Sequence, residues 1–144
     1  GGDFMKDFTT FVLTTLRRAG WAPLGVFIVH AIASEGFNAY DHYPSLDIPM
    51  HFIGGVVICY FFYTATQAPH AEKFLGKHTA ISLFILLTAL TAKATVGWEF
   101  AEWIADNYFG KHAQGSVTDT MGDMLMGLLG SLCVSLPACL KKKP

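Results

Sequence analysis

Four stretches of about twenty predominantly apolar residues take up most of this 144-residue chain, and no other feature constrains the fold as strongly. A hydrocarbon core about 30 Å thick is crossed by about twenty residues at 1.5 Å rise per residue. With no water there to satisfy backbone N–H and C=O groups, such segments are helical. The stretches run over about 21–40, 48–68, 79–105 and 117–138. They predict an all-α polytopic membrane helix bundle, with four transmembrane helices in a single integral membrane domain over 1–144. Charged residues make up 15% of the chain, against roughly 25% in soluble domains, and most lie between the apolar runs. That argues against a disordered or nucleic-acid-binding chain, and a formal net charge of −1 exerts no pull on a polyanion. Cys59, Cys133 and Cys139 are an odd number in or beside apolar runs and read as packing residues.

The windows differ in character. Glu35 interrupts the end of the first. The second opens behind Asp47, a candidate N-cap, with Pro49 tolerated in the first turn. The third can continue to Tyr108, longer than a bilayer needs, and is expected to project into the interface or bend near Gly97. The fourth carries Gly122, Gly127 and Gly130, which let a neighbouring helix approach closely, and is expected to stop at Pro137 and the Lys141, Lys142, Lys143 tail. Ahead of the first window, Phe8, Phe11, Val12 and Leu16 share one stripe, which predicts an N-terminal amphipathic helix on the membrane surface.

If the chain crosses four times, Lys6, Arg17, Arg18, Lys73, Lys77 and the three terminal lysines share one side, against Lys111 alone on the other. The positive-inside rule then places both termini in the cytoplasm and the loops 41–46 and 110–116 outside. Trp98, Trp103, Tyr40, Tyr43 and Tyr108 fit an aromatic belt at the outward interface.

Sorting the ionisable residues by depth brings Glu35, Asp47, His51, Glu99, Glu102, Asp119 and Asp123 to the same outward end. Asp47 and His51 are four apart, as are Asp119 and Asp123, and Glu99 and Glu102 are three apart, so each pair shares a helix face. Carboxylates facing lipid cost several kcal/mol each, so these faces are expected to point into the bundle. Lys93, roughly 9 Å deeper than Glu99, is the one cation within a span. One lysine does not neutralise six acids, so the layer requires protons, a cation or water. Paired His and carboxylate residues on facing helices build metal sites in bundles, and oxygen donors with one imidazole suit Zn, Mn, Mg or Ca. The expected metal ligands are Asp47, His51, Glu99, Asp119 and Asp123. Blander readings stand beside this one: Asp47 as a helix cap only, Glu102 and Asp106 as solvated interface residues, and His30 as a hydrogen-bonded packing residue.

The segments LDIPMHFIGG, GWEFAEW and GSVTDTMGDMLMGLLGS resemble the signature segments of the YjdF-like family of uncharacterised bacterial inner-membrane proteins, and more distantly the VanZ-like family. VanZ-like proteins carry Asp-Lys-x-x-His, Glu-x-x-Gln and a later Asp followed four residues on by Asn or Asp. These positions align with Asp47 and His51, Glu99 and Glu102, and Asp119 and Asp123, with Ile48 in place of the lysine and Glu102 in place of the glutamine. The resemblance covers roughly residues 46–131 and implies a four-to-six-helix fold in the bacterial inner membrane, without implying an activity.

Three functions compete. In the first, the acidic layer binds a divalent cation that fixes the bundle or activates water against a lipid-linked or envelope substrate, with Glu102 as general base. In the second, the protein is a small subunit of a larger membrane assembly, or a homo-oligomer, whose acids lock helix to helix. In the third, the layer is the proton or ion site of a carrier with Lys93 as internal counter-charge.

Overall fold

In the computed structural model, which describes residues 2–142, every regular element is helical. Lys143, part of the expected stop after the fourth window, lies outside the described residues. The chain forms α1 (Gly2–Ala19), α2 (Trp21–Ala31) running into a π-helical turn (Ile32–Gly36), the short α3 (Ala39–His42), a 3-10 turn (Pro44–Leu46), α4 (Asp47–Thr66), α5 (Ala71–Leu75), α6 (Ala80–Phe109) and α7 (Val117–Leu140). Three helices are long and apolar enough to cross a membrane: α4 with the turn before it, α6 and α7. The stretch expected as a span over 21–40 differs. Its eleven α-helical and five π-helical residues give way at Phe37, and Asn38 takes a left-handed conformation (φ 46°) that its short polar side chain tolerates.

Helix starts are written in the side chains. At α6 the backbone N–H of Ser82 donates to Thr79 Oγ1 (3.2 Å) while that of Thr79 donates to Ser82 Oγ (2.8 Å), a reciprocal cap. At α7 the Asp119 N–H donates to Ser116 Oγ (3.1 Å). The thirty residues of α6 run unbroken through Gly97 and end at Gly110, whose φ of 64° suits glycine. Pro137 does not stop α7, contrary to expectation. The helix continues to Leu140, because a proline near a helix end removes one backbone donor while its own carbonyl still accepts from Lys141 (3.2 Å).

Helices α4, α6 and α7 pack as a three-helix core, α2 lies along α4, and α1 contacts α4 and α2. Glycine sets the closest approach. A methyl at Gly55 would run into the Gly127 backbone, one at Gly130 into the Phe52 carbonyl, and one at Gly127 into the Thr95 side chain. Gly122 has open space beside it, so two of the three expected contact glycines make contacts. Below them Cys59 packs among Leu83, Leu87 and Ala138, in line with a packing role, whereas Cys133 is exposed.

Two ion pairs pin opposite ends of this arrangement. Where α4 ends, Lys73 Nζ on α5 donates to Asp7 Oδ2 on α1 (2.9 Å), and Phe4, Phe8 and Phe11 surround Phe74. The Lys73 hydrogen bond holds the Asp7 carboxyl below its ordinary pKa. Where α4 begins, Lys111 Nζ donates to Glu35 Oε1 (2.8 Å), joining the loop after α6 to the π turn. On α1 the buried residues are Thr15 and Ala19, while Phe8 and Leu16 of the expected stripe stay largely exposed.

Candidate functional site

The N-terminal turns of α4 and α7 and the last third of α6 meet at one end of the core. The i, i+4 spacing stacks Asp47 and His51 on one face of α4, with His51 Nε2 3.3 Å from Asp47 Oδ1. The same nitrogen lies 4.0 Å from Oδ1 of Asp123 on α7. The other ring nitrogen, Nδ1, lies 3.8 Å from Glu99 Oε1 on α6. One imidazole thus stands between two acidic groups. Asp47, His51 and Asp123 bring ligand atoms within 4.8 Å of one another, and so do His51, Glu99 and Glu102.

The side chains of Glu99 and Asp123 are about 6–7% exposed and His51 is 9% exposed, so water does little to screen them. Both carboxylate oxygens of Glu99 are buried with no hydrogen-bond partner among the described residues. A buried acceptor left without a partner costs on the order of 1–3 kcal/mol, more when charged. Glu102, in contrast, accepts from Trp98 Nε1 (2.7 Å). Gln114, from the loop before α7, reaches over the site and donates to the Glu99 backbone carbonyl (3.2 Å). Asp106 accepts from the Ala113 and Gln114 backbone N–H groups (2.7 and 3.0 Å) and so fixes that loop.

Of the residues expected in the layer, Asp47, His51, Glu99, Glu102 and Asp123 come together, from three helices. Asp47 does not cap its helix: it is the first residue of α4, and its carboxylate turns to His51. Asp119 stands apart, exposed, its Oδ2 accepting from the Gly115 N–H (3.1 Å) at the helix start. Glu35 is exposed on Lys111. Lys93 is exposed too, and no ion pair among the described residues includes it, so it does not serve as the internal counter-charge of a carrier in this arrangement.

The sequence reading missed several residues of the site's wall. Trp98 and Tyr40, expected in an interfacial belt, point inward. Trp98 holds Glu102, and Tyr40 Oη lies 2.8 Å from His30 Nδ1. His30 is thus the hydrogen-bonded packing residue anticipated for it, its ring set edge-on against Trp98 at 5.1 Å. The glycine and asparagine of Gly36-Phe37-Asn38 were the available sign of the bend that returns Tyr40 to His30.

A family profile described as "Predicted membrane protein (DUF2238)" matches residues 10–143. An uncharacterized protein of Thermotoga maritima is 30% identical over 103 residues, which is 71% of this chain. The chain spans about half the length of that curated relative (52%). No solved structure matches. The profile runs through the three long helices and every residue of the His51 cluster, and the chain belongs to the DUF2238 family of membrane proteins, the YjdF-like family its three segments resemble.

Proposed function

We propose that this membrane protein holds a divalent cation at the His51 cluster. Asp47, His51 and Asp123 are its ligands, and Glu99 orients the imidazole from the far side. The 3.3 Å between His51 Nε2 and Asp47 Oδ1 carries the reading. It is longer than a good N–H···O bond, about 2.9 Å, yet two ligands of one small cation at 2.0–2.2 Å stand roughly 3–3.5 Å apart. A neutral imidazole ligates through one nitrogen and turns the other, commonly toward a carboxylate, and Nδ1 faces Glu99 Oε1 at 3.8 Å, longer than a hydrogen bond. The partnerless oxygens of Glu99 support the same conclusion, since a cation one ring away strengthens the donor that faces them. Two carboxylates and one imidazole without thiolate favour Zn, Mn, Mg or Ca. With water as a further ligand the cation would serve hydrolysis of a lipid-linked substrate, with Glu102, which groups with His51 and Glu99 rather than with Asp47 and Asp123, as a general base.

The proposed topology has four spans in one domain, with α1 on the membrane surface, both ends cytoplasmic and the site facing out. The Asp7–Lys73 pair at one end and the Glu35–Lys111 pair at the other support it, because the chain between them must travel the length of the bundle. The excess of Lys and Arg on the α1 and α5 side supports the orientation. The resemblance to VanZ-like proteins adds the same spacing of paired polar residues and no reaction.

Elemental analysis of detergent-purified protein tests the cation. The wild type is expected to retain close to one equivalent of a divalent metal through gel filtration, and His51→Ala and Asp123→Asn to lose it. Wild-type protein without stoichiometric metal, after purification free of chelators and after reloading, overturns the reading.

A further inference from the structure

Beside His51, between α2, α4 and α6, lies a cavity of about 270 Å³. His51, His30 and Trp98 stand at its upper end and Ile58 near its lower, about 10 Å further along α4. Between them the wall is apolar apart from Thr95, whose hydroxyl is taken up by the Ala92 carbonyl (2.8 Å). A buried water needs two to four polar partners, which these walls do not offer.

Two glycines keep the space open. A methyl at Gly54 or Gly97 would meet no atom within 4 Å, so packing does not require glycine at either position. Gly55, the next residue, is the opposite case, pressed on the Gly127 backbone. What Gly54 and Gly97 share is the cavity they line. Its upper walls are held firm: Trp98 is fixed by Glu102 and flanked edge-on by Phe27 (6.0 Å) and His30 (5.1 Å).

We propose that this cavity takes one acyl chain of a membrane phospholipid, with the phosphate at the His51 end, where it completes the coordination of the cation. An apolar slot opening on membrane-length helices adjoins hydrocarbon, and an acyl chain supplies the dispersion contacts that empty walls forgo. Of the cluster only His51 lines the cavity; the acids beyond it repel a phosphate unless a divalent ion lies between them, and that ion would unite carboxylates, imidazole and phosphate in one shell. The phosphate half rests on the cation reading, and the chain half stands without it.

The test uses phosphatidic acid carrying a diazirine at mid-chain, added to full-length protein in nanodiscs, photolysed and mapped by mass spectrometry. Adducts are expected on residues lining the cavity, such as Val26 and Ile58, and to fall about tenfold in Gly97→Leu and in Gly54→Leu. Gly122→Leu, open but outside the cavity, is expected to label as wild type. Two fillings guard against one variant failing to fold. Equal yield in wild type and both fillings, or adducts only on exposed positions such as Ile81 and Ile85, overturns the chain site whatever the metal content. For the head group, phosphatidic acid is expected to outcompete diacylglycerol of the same chains, with the preference lost on chelation and in Asp123→Asn. Cavity labelling that the fillings abolish but that shows no phosphate preference in metal-loaded protein overturns the phosphate half alone. Protein that binds no metal overturns the cation reading and that half together.

Discussion

His51 faces carboxylates with both ring nitrogens, so its neighbours answer differently to the same kind of substitution. Asp123→Asn is expected to release the metal, whereas Asp119→Asn, on a helix start at the surface, is expected to leave metal content unchanged. Glu99→Gln removes a buried carboxylate that faces His51 but has no hydrogen-bond partner among the described residues. In chelated protein it is expected to raise the melting temperature by removing the desolvation cost of the charge, and in loaded protein to weaken metal retention. Thermal unfolding with and without metal shows whether the sign reverses. Because ligands must be deprotonated, affinity is expected to fall as pH is lowered, which titration with a metal indicator in detergent would follow. The i, i+4 spacing made the shared face of Asp47 and His51 legible in the sequence, whereas the same spacing paired Asp123 with Asp119, which stays exposed at its helix start. Lys93 was misplaced as an internal counter-charge: at 100° per residue it lies about 120° around α6 from Glu99, away from the site. Tyr40 was not legible, because its partner His30 depends on where α2 bends, and the i, i+4 bond of Trp98 to Glu102 within α6 went unread behind its place in an aromatic belt.

Among the elements, α4 and α7 touch through glycine backbones, and this contact sets the width of the site they share. Gly55→Ala and Gly130→Ala place a methyl against backbone that cannot rotate away, and are expected to destabilise by about 1–3 kcal/mol. Gly122→Ala meets nothing and is expected to be neutral or stabilising by up to about 1 kcal/mol through helix propensity. Denaturation in a single detergent compares the three directly. The three long helices were legible from hydropathy alone, and Thr79 marked the start of α6. The glycine pattern on α7 was legible as packing, but not which of its members touch, since that depends on the register against α4. The π turn escaped for a related reason: apolar periodicity over 21–40 does not report a change in hydrogen-bond spacing.

For the molecule as a whole, the two end-pinning ion pairs make topology measurable. In cells, with the native cysteines replaced, Lys111→Cys is expected to react with an impermeant maleimide from outside. Lys6→Cys and Lys77→Cys are expected to react only after permeabilisation. Labelling of Lys6→Cys from outside, with Lys77→Cys protected, places the two on opposite sides and removes α2 as a span. The eleven α-helical and five π-helical residues of that stretch measure about 24 Å at the α-helical rise, against a hydrocarbon thickness of about 30 Å. On the proposed four-span topology the leaflet is expected to be drawn down into a dimple along that flank, bringing polar lipid heads several ångströms closer to the rim of the slot that His30 and His51 border. Bilayer thickness would on that topology act on the protein, thin membranes relaxing the dent and thick ones deepening it.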